Sequence, residues 1–387
     1  MFLPMKSYGK QKVGAWMSSE YAVSQEQLNY LLSPVAIRTQ ASKIFQLCED
    51  GRTHFKLDMN QLESVSDLVQ KTTLQNYPDL NVPFHSRWGH FQRPKMDRLA
   101  VLSAKLEGLS LTEQAKAKLD LAVVSVLLDA GAGDVWRYTD PHVGDSLGRS
   151  EGLALASFDL FIEGAFSSHP TSPLQVDAVG LLAIDMAALA KAFGHSPDNP
   201  LVGLEGRLDL LHALGHCLQS SEYLRGYEAR PGSLFEICQA AADGQALPAP
   251  VLLEKVLRVF GPIWPGASEV GGLPIGDIWG YPGLADAQSG ASLMPFHKLS
   301  QWLSYSLMEP LMEGGVALSG INDLTGLAEY RNGGLFVDGG VLELRDRDLL
   351  KIQHEVGCEL IIEWRALTIC LLDQVAEQVR DRLQLSS

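Results

Sequence analysis

The sequence predicts a mainly α fold, a multi-helix globular domain with one small β-hairpin near 335–345. Three observations predict it: apolar residues recur at intervals of three and four along most of the chain, helical caps punctuate those runs, and one Gly-Gly pair separates two short β-type stretches. With 387 residues, 46% of them hydrophobic and 20% charged, the chain can bury a large core.

The helical period runs from Val23 to Glu49 and from Thr112 to Ala130. Ser110-Leu-Thr-Glu113 reads as a capping box opening the second run, and Gly131 as its stop. Further helices are expected over Ser150 to Phe166, Val176 to Phe193, Gly206 to Ser220, Val251 to Val259 and Phe296 to Met312. A last, long one spans about Asp346 to Leu383, with Val356, Leu360, Glu363, Leu367, Cys370 and Gln374 along one line. Residues 1–22 read as an extension and 23–387 as one helical domain, or as two intimate lobes meeting at the loops near 131–145 and 261–295. Gly/Pro-rich connections carry Trp88, Trp136, Trp264 and Trp279, which is unusual for solvent loops and suits loops folded over a cleft. The hairpin is Leu335-Phe-Val-Asp338 and Val341-Leu-Glu-Leu-Arg345 around Gly339-Gly340, since a two-residue turn wants positive φ at both central positions.

A formal charge of −15 argues against a broad phosphate-neutralising surface, and so against nucleic acid as partner. Five widely spaced cysteines without a CxxC pair fit reduced thiols. The N-terminus lacks the apolar core of a signal peptide, and no run of about 18 apolar residues occurs. These features predict a cytoplasmic protein without a membrane partner.

Several constellations admit both a structural and a chemical reading. Asp129-Ala-Gly-Ala-Gly133 has the D-x-G-x-G form of a methyltransferase loop, but helical capping precedes it and a proline follows. Its glycines either end a helix or place Asp129, Trp136, Tyr138 and Arg149 along a ligand site. His212 and His216, four apart on a helix, are ordinary helix residues or ligands of a metal such as zinc; His354 and Cys358 share the spacing, and no third ligand is evident. Pro83 to Phe91 supplies Arg87 with two histidines and aromatics, suited to packing or to an anionic or planar ligand. The helix from Pro295 carries His297, Lys298, Trp302, Tyr305 and Glu309, a mixture that amphipathicity alone does not require. Glu329-Tyr330-Arg331 is either a surface ion pair or a carboxylate presented on a tight turn, as sugar chemistry needs.

Taken together, LLDAGAGDVWRY, RSEGLALASFDLF, PFHKLSQWLSYSLMEPL, GLAEYRNGGLFVDGGVLELRD and EWRALT resemble the uracil-catabolism URC family, the type of its fourth gene product, over nearly the whole chain after Val23. The resemblance implies a place in pyrimidine degradation through ring opening, ribosylurea and urea. A second likeness is to the queuosine-salvage nucleotide glycosidases, whose lysine-bearing helix is followed by a D-Y-R-x-P-Q motif with a catalytic aspartate; it implies a glycosylase-like fold. Here Lys298 is followed by Glu329-Tyr330-Arg331, with Glu for Asp and Asn332-Gly333 departing from the rest.

The resulting expectation is hydrolysis of the N-glycosidic bond of ribosylurea or its 5′-phosphate. Glu329 serves as catalytic carboxylate and Asp338 as second carboxylate or ribose anchor. Arg331, Lys298 or Arg87 takes phosphate, and His297, Trp302, Asp129, Trp136, Tyr138 and Arg149 complete the substrate site. No cofactor is expected. The alternatives are a metal-dependent amidohydrolase using His212, His216 or His354, and a non-catalytic partner of the ring-opening enzyme.

Overall fold

The computed structural model describes residues 24–264, 269–270, 273–284 and 292–385. The extension predicted over residues 1–22 lies outside them. The described residues are mainly helical, as the sequence predicts, with fourteen α-helices and only two-stranded sheets. No helix among them is long and apolar enough to cross a membrane. The described residues fall into two compact units: those within 24–83, 269–301 and 320–385 in the first, residues 84–264 and 302–319 in the second.

Local chemistry explains where the predicted helices break. The run from Val23 is two helices, Gln25–Leu31 and Pro34–Glu49, because Pro34 lacks an N–H and Ser33 caps the second by accepting from Ala36 N. Likewise Asp185 accepts from Ala188 N and starts Met186–Ala192 as a helix separate from Ala178–Ala183. Ser110 accepts from Glu113 N and opens Leu111–Leu127 as its spacing predicts; the helix ends before Gly131. That helix is buried nearly all round and forms the centre of the second unit.

In the first unit the central element is Glu359–Leu383, which buries Leu360, Trp364, Leu367 and Leu371 against Phe55, Leu62, Val65 and Phe336. It starts thirteen residues later than predicted: Asp346 caps a short 3-10 turn at Arg347–Lys351, and Cys358 is the N-cap of the long helix. His354 and Cys358 therefore do not share a helix face.

The predicted hairpin is a helix. Tyr330–Asp338 is α-helical, with Glu329 as its N-cap accepting from Asn332 N. Gly339-Gly340 is a helix stop: Gly340, at φ +74°, lets its own N–H reach Val337 O and that of Val341 reach Phe336 O. This is the paired-bond ending that a left-handed glycine after a helix makes possible. Leu342–Leu344 is a strand, but it pairs antiparallel with Phe55–Leu57, far away in sequence. A Gly-Gly pair between apolar stretches serves either geometry, and the tertiary partner decided: Gly333 lies against Trp364, where an added Cβ would stand 2.6 Å from the indole.

Candidate active site

Three segments of the first unit meet at Asp277. Its Oδ1 accepts from Trp279 Nε1 at 2.7 Å and from Arg365 Nη1 at 2.9 Å. Its Oδ2 accepts from Arg365 Nη2 at 2.5 Å and from the backbone N–H of Lys298, at the head of the helix Lys298–Glu313, at 3.1 Å. Burial alone would raise the pKa of Asp277, but the Arg365 charge and these N–H groups hold it well below the usual carboxylate range. Arg365 also lies over the Phe296 ring, 3.9 Å from its centroid, and donates through Nε to Ala328 O at 3.3 Å. The pair thus ties the head of the lysine helix to the residue preceding Glu329.

Around this node the predicted residues divide. His297 is fully buried at positive φ (+49°), with Nε2 on Leu31 O at 2.9 Å; burial lowers its pKa, so it is neutral at pH 7. Glu329 is half-buried. Its Oε1 accepts from Asn332 N at 2.8 Å, and Oε2 bonds no other described residue. Arg331 is exposed and stacks on its neighbour Tyr330. Asp338 is exposed at the other end of the nine-residue helix, about 13 Å of helix rise from Glu329. The two carboxylates of a glycosidase stand roughly 5–9.5 Å apart, so these two do not form that pair.

The EWR sequence contributes a second carboxylate centre. Glu363, buried, accepts from Tyr281 Oη at 2.8 Å and from both the backbone N–H and Nδ1 of His54, at 2.8 and 2.9 Å.

In the second unit, Arg87 is a buried structural centre. It donates to Ser125 Oγ and Ser150 O, both at 2.8 Å, and stands 3.4 Å from Asp129. Burial lowers its pKa, and Asp129 and Glu151 oppose that shift. Around it, His90 is held neutral at pH 7 by burial and by the Arg87 charge. The Asp129 loop is fixed from the other side by Arg207, which donates to the carbonyls of Leu128 and Ala130. The loop before Arg87 follows the lower part of Lys298–Glu313: His85 packs on Trp302 at 4.9 Å between centroids, and Trp88 donates to Glu313 at 2.9 Å. Trp136 is fully buried, with its N–H on Phe193 O, and is a core residue. Tyr138 donates to Asp159 at 2.6 Å. Arg149 is exposed at φ +51°. The second-unit structure thus joins Arg87 to Asp129, while Trp136, Tyr138 and Arg149 have separate surroundings.

The metal candidates are engaged with backbone. His212 Nε2 bonds Ile184 O at 2.9 Å and His354 Nε2 bonds Leu349 O at 2.7 Å. No group of three or more His, Cys, Asp or Glu residues placed to hold a metal occurs among the described residues, which leaves His216 without ligand partners there.

Comparison with known proteins places the chain. A family model described as "Protein of unknown function (DUF1688)" matches residues 30–387. The chain belongs to the DUF1688 family. It is similar to "Protein urg3" of Schizosaccharomyces pombe, 39% identical over 370 residues that cover 94% of this chain and 88% of that protein. It is also similar to "Uracil catabolism protein 4" of Lachancea kluyveri, 35% identical over 390 residues that cover 92% and 89%. The DUF1688 match spans the Asp277 node and the Arg87 centre alike.

Sequence reasoning missed Asp277 itself. It lies in the Gly/Pro-rich stretch read only as a loop, and Arg365 lies within the EWRALT motif, where no role was assigned to it. A single Asp before an apolar-aromatic pair gives no local signal; a buried Arg in the middle of an amphipathic helix does, because it demands a carboxylate.

Proposed function

We propose that this DUF1688 protein acts in uracil catabolism and hydrolyses the N-glycosidic bond of ribosylurea or its 5′-phosphate. The names of its two relatives support the pathway. The observation that carries the reaction is the tie from Lys298 through Asp277 and Arg365 to Ala328 and Glu329, which joins the lysine helix to the carboxylate segment.

The chemistry follows from which oxygens are occupied. Asp277 has two donors on each oxygen and a charged partner, so it orients other groups and has no lone pair directed to a substrate. Glu329 has Oε2 open and Oε1 fixed by Asn332 N, an arrangement that presents a carboxylate to the anomeric carbon as oxocarbenium character develops. Water adds to that carbon, the C–N bond breaks, the leaving nitrogen takes a proton, and the products are urea and ribose or ribose 5-phosphate. Lys298 and Arg331 supply the positive charge for a phosphate. The test is to incubate purified protein with ribosylurea and with its phosphate and to assay urea; absence of urea from both, with folded protein, sinks the reading.

A further inference from the structure

Just beyond the helix Leu111–Leu127 stands a carboxylate that the second unit leaves unbonded. The Asp129 side chain is 9% exposed; among the described residues neither of its oxygens accepts a hydrogen bond, and neither is sealed from solvent. Two guanidiniums flank it, Arg87 with Nη1 at 3.4 Å and Arg207, and both have placed their donors elsewhere. Arg87 donates to the hydroxyl and carbonyl of Ser125 and to Ser150 O. Arg207 donates to the carbonyls of Leu128, Ala130 and Val202, so every guanidinium nitrogen of the two is already bonded. A mostly buried carboxylate without a donor is costly, so packing alone does not account for it. The loop leaves room beside it: Ala130 and Gly131 are exposed, and a Cβ on Gly131 would meet no atom within 4 Å.

The charges select the ligand. Arg87 and Arg207 are balanced by Asp129 and Glu151, and His90 beside Arg87 is neutral, so the cluster has no excess charge to hold an anion or a cation. The Asp129 carboxylate offers two acceptor oxygens side by side and no donor. A neutral group with two parallel N–H bonds matches them as a guanidinium would, without bringing a third positive charge toward Arg87 and Arg207. A ureido group is such a donor.

We propose that Asp129, at the head of the loop 129–133, binds the N–H pair of a ureido group. The choice of a ureido group rests on the reading of the substrate as a ribosylurea; the need for a neutral donor rests on this cluster alone.

The experiment is saturation-transfer NMR on the full chain with N-methylurea, wild type against Asp129→Asn, and with tetramethylurea, which has no N–H. Wild type should show saturable transfer from N-methylurea. Asp129→Asn should bind it about tenfold more weakly, and wild type should bind tetramethylurea more weakly by the same factor, the loss of a hydrogen bond with a charged partner. No transfer in wild type, or unchanged affinity in folded Asp129→Asn, overturns the site. If Asp129→Asn does not fold, tetramethylurea decides: affinity equal to that of N-methylurea overturns it. Urea release from ribosylurea is scored separately: urea without N-methylurea binding removes the site alone, and N-methylurea binding without urea release removes the reaction alone.

Discussion

Arg365 and Asp277 meet through two parallel hydrogen bonds of 2.9 and 2.5 Å, in the bidentate geometry that only an arginine offers a carboxylate. Both side chains are largely buried, at 11% and 15% exposure, so neither charge is replaceable by solvent.

Asp277→Ala removes the carboxylate that Arg365 holds through two hydrogen bonds in a buried setting and should cost about 3 kcal/mol in urea denaturation. The sign of the pH effect follows from the depressed pKa of Asp277. Its contribution is fully present above the unfolded carboxylate pKa of about 3.9 and is lost as pH falls toward its folded value. Wild type should therefore lose more stability than Asp277→Ala as pH is lowered below about 4.

Gly333→Ala places a methyl group 2.6 Å from the Trp364 indole in the middle of a helix. Alanine favours helix by about 1 kcal/mol, but overpacking a rigid aromatic costs about 1–3 kcal/mol. Net destabilisation in thermal unfolding is expected; a stabilised variant would show that the helix does not rest on Trp364.

His212 is held by the carbonyl of Ile184. His212→Ala should lower stability by about 1 kcal/mol, the value of one part-buried hydrogen bond, and leave the zinc content of tag-free protein unchanged. Zinc lost in step with His212 would favour the amidohydrolase reading instead.

Most of the helical framework was legible because its signals are local. Ser110 before Glu113 and the apolar period around Leu121 and Leu367 each fix an element from a few residues, whereas the break at Ser33-Pro34 interrupts a run whose apolar period reads as one helix. The stretch around Gly339-Gly340 was not, because its composition fits a hairpin turn and a helix stop equally, and the choice is made by Trp364 on a later helix and by strand Phe55–Leu57, which alone lies hundreds of residues away. For the candidate site, Lys298 and Glu329 were visible as motif residues, while the Asp277–Arg365 pair that relates them was not. A contact spanning 88 positions leaves no periodic trace in either segment.

The most direct measurement is urea release from ribosylurea and its 5′-phosphate by wild type and Glu329→Gln, each checked for folding. Glutamine retains an oxygen for Asn332 N and so should keep the helix cap, with stability within about 0.5 kcal/mol of wild type. The account predicts urea from wild type and a rate lower by about 100-fold or more in the variant. Equal rates would contradict the assignment of Glu329, and a folded wild type that yields no urea from either compound would contradict the proposed reaction.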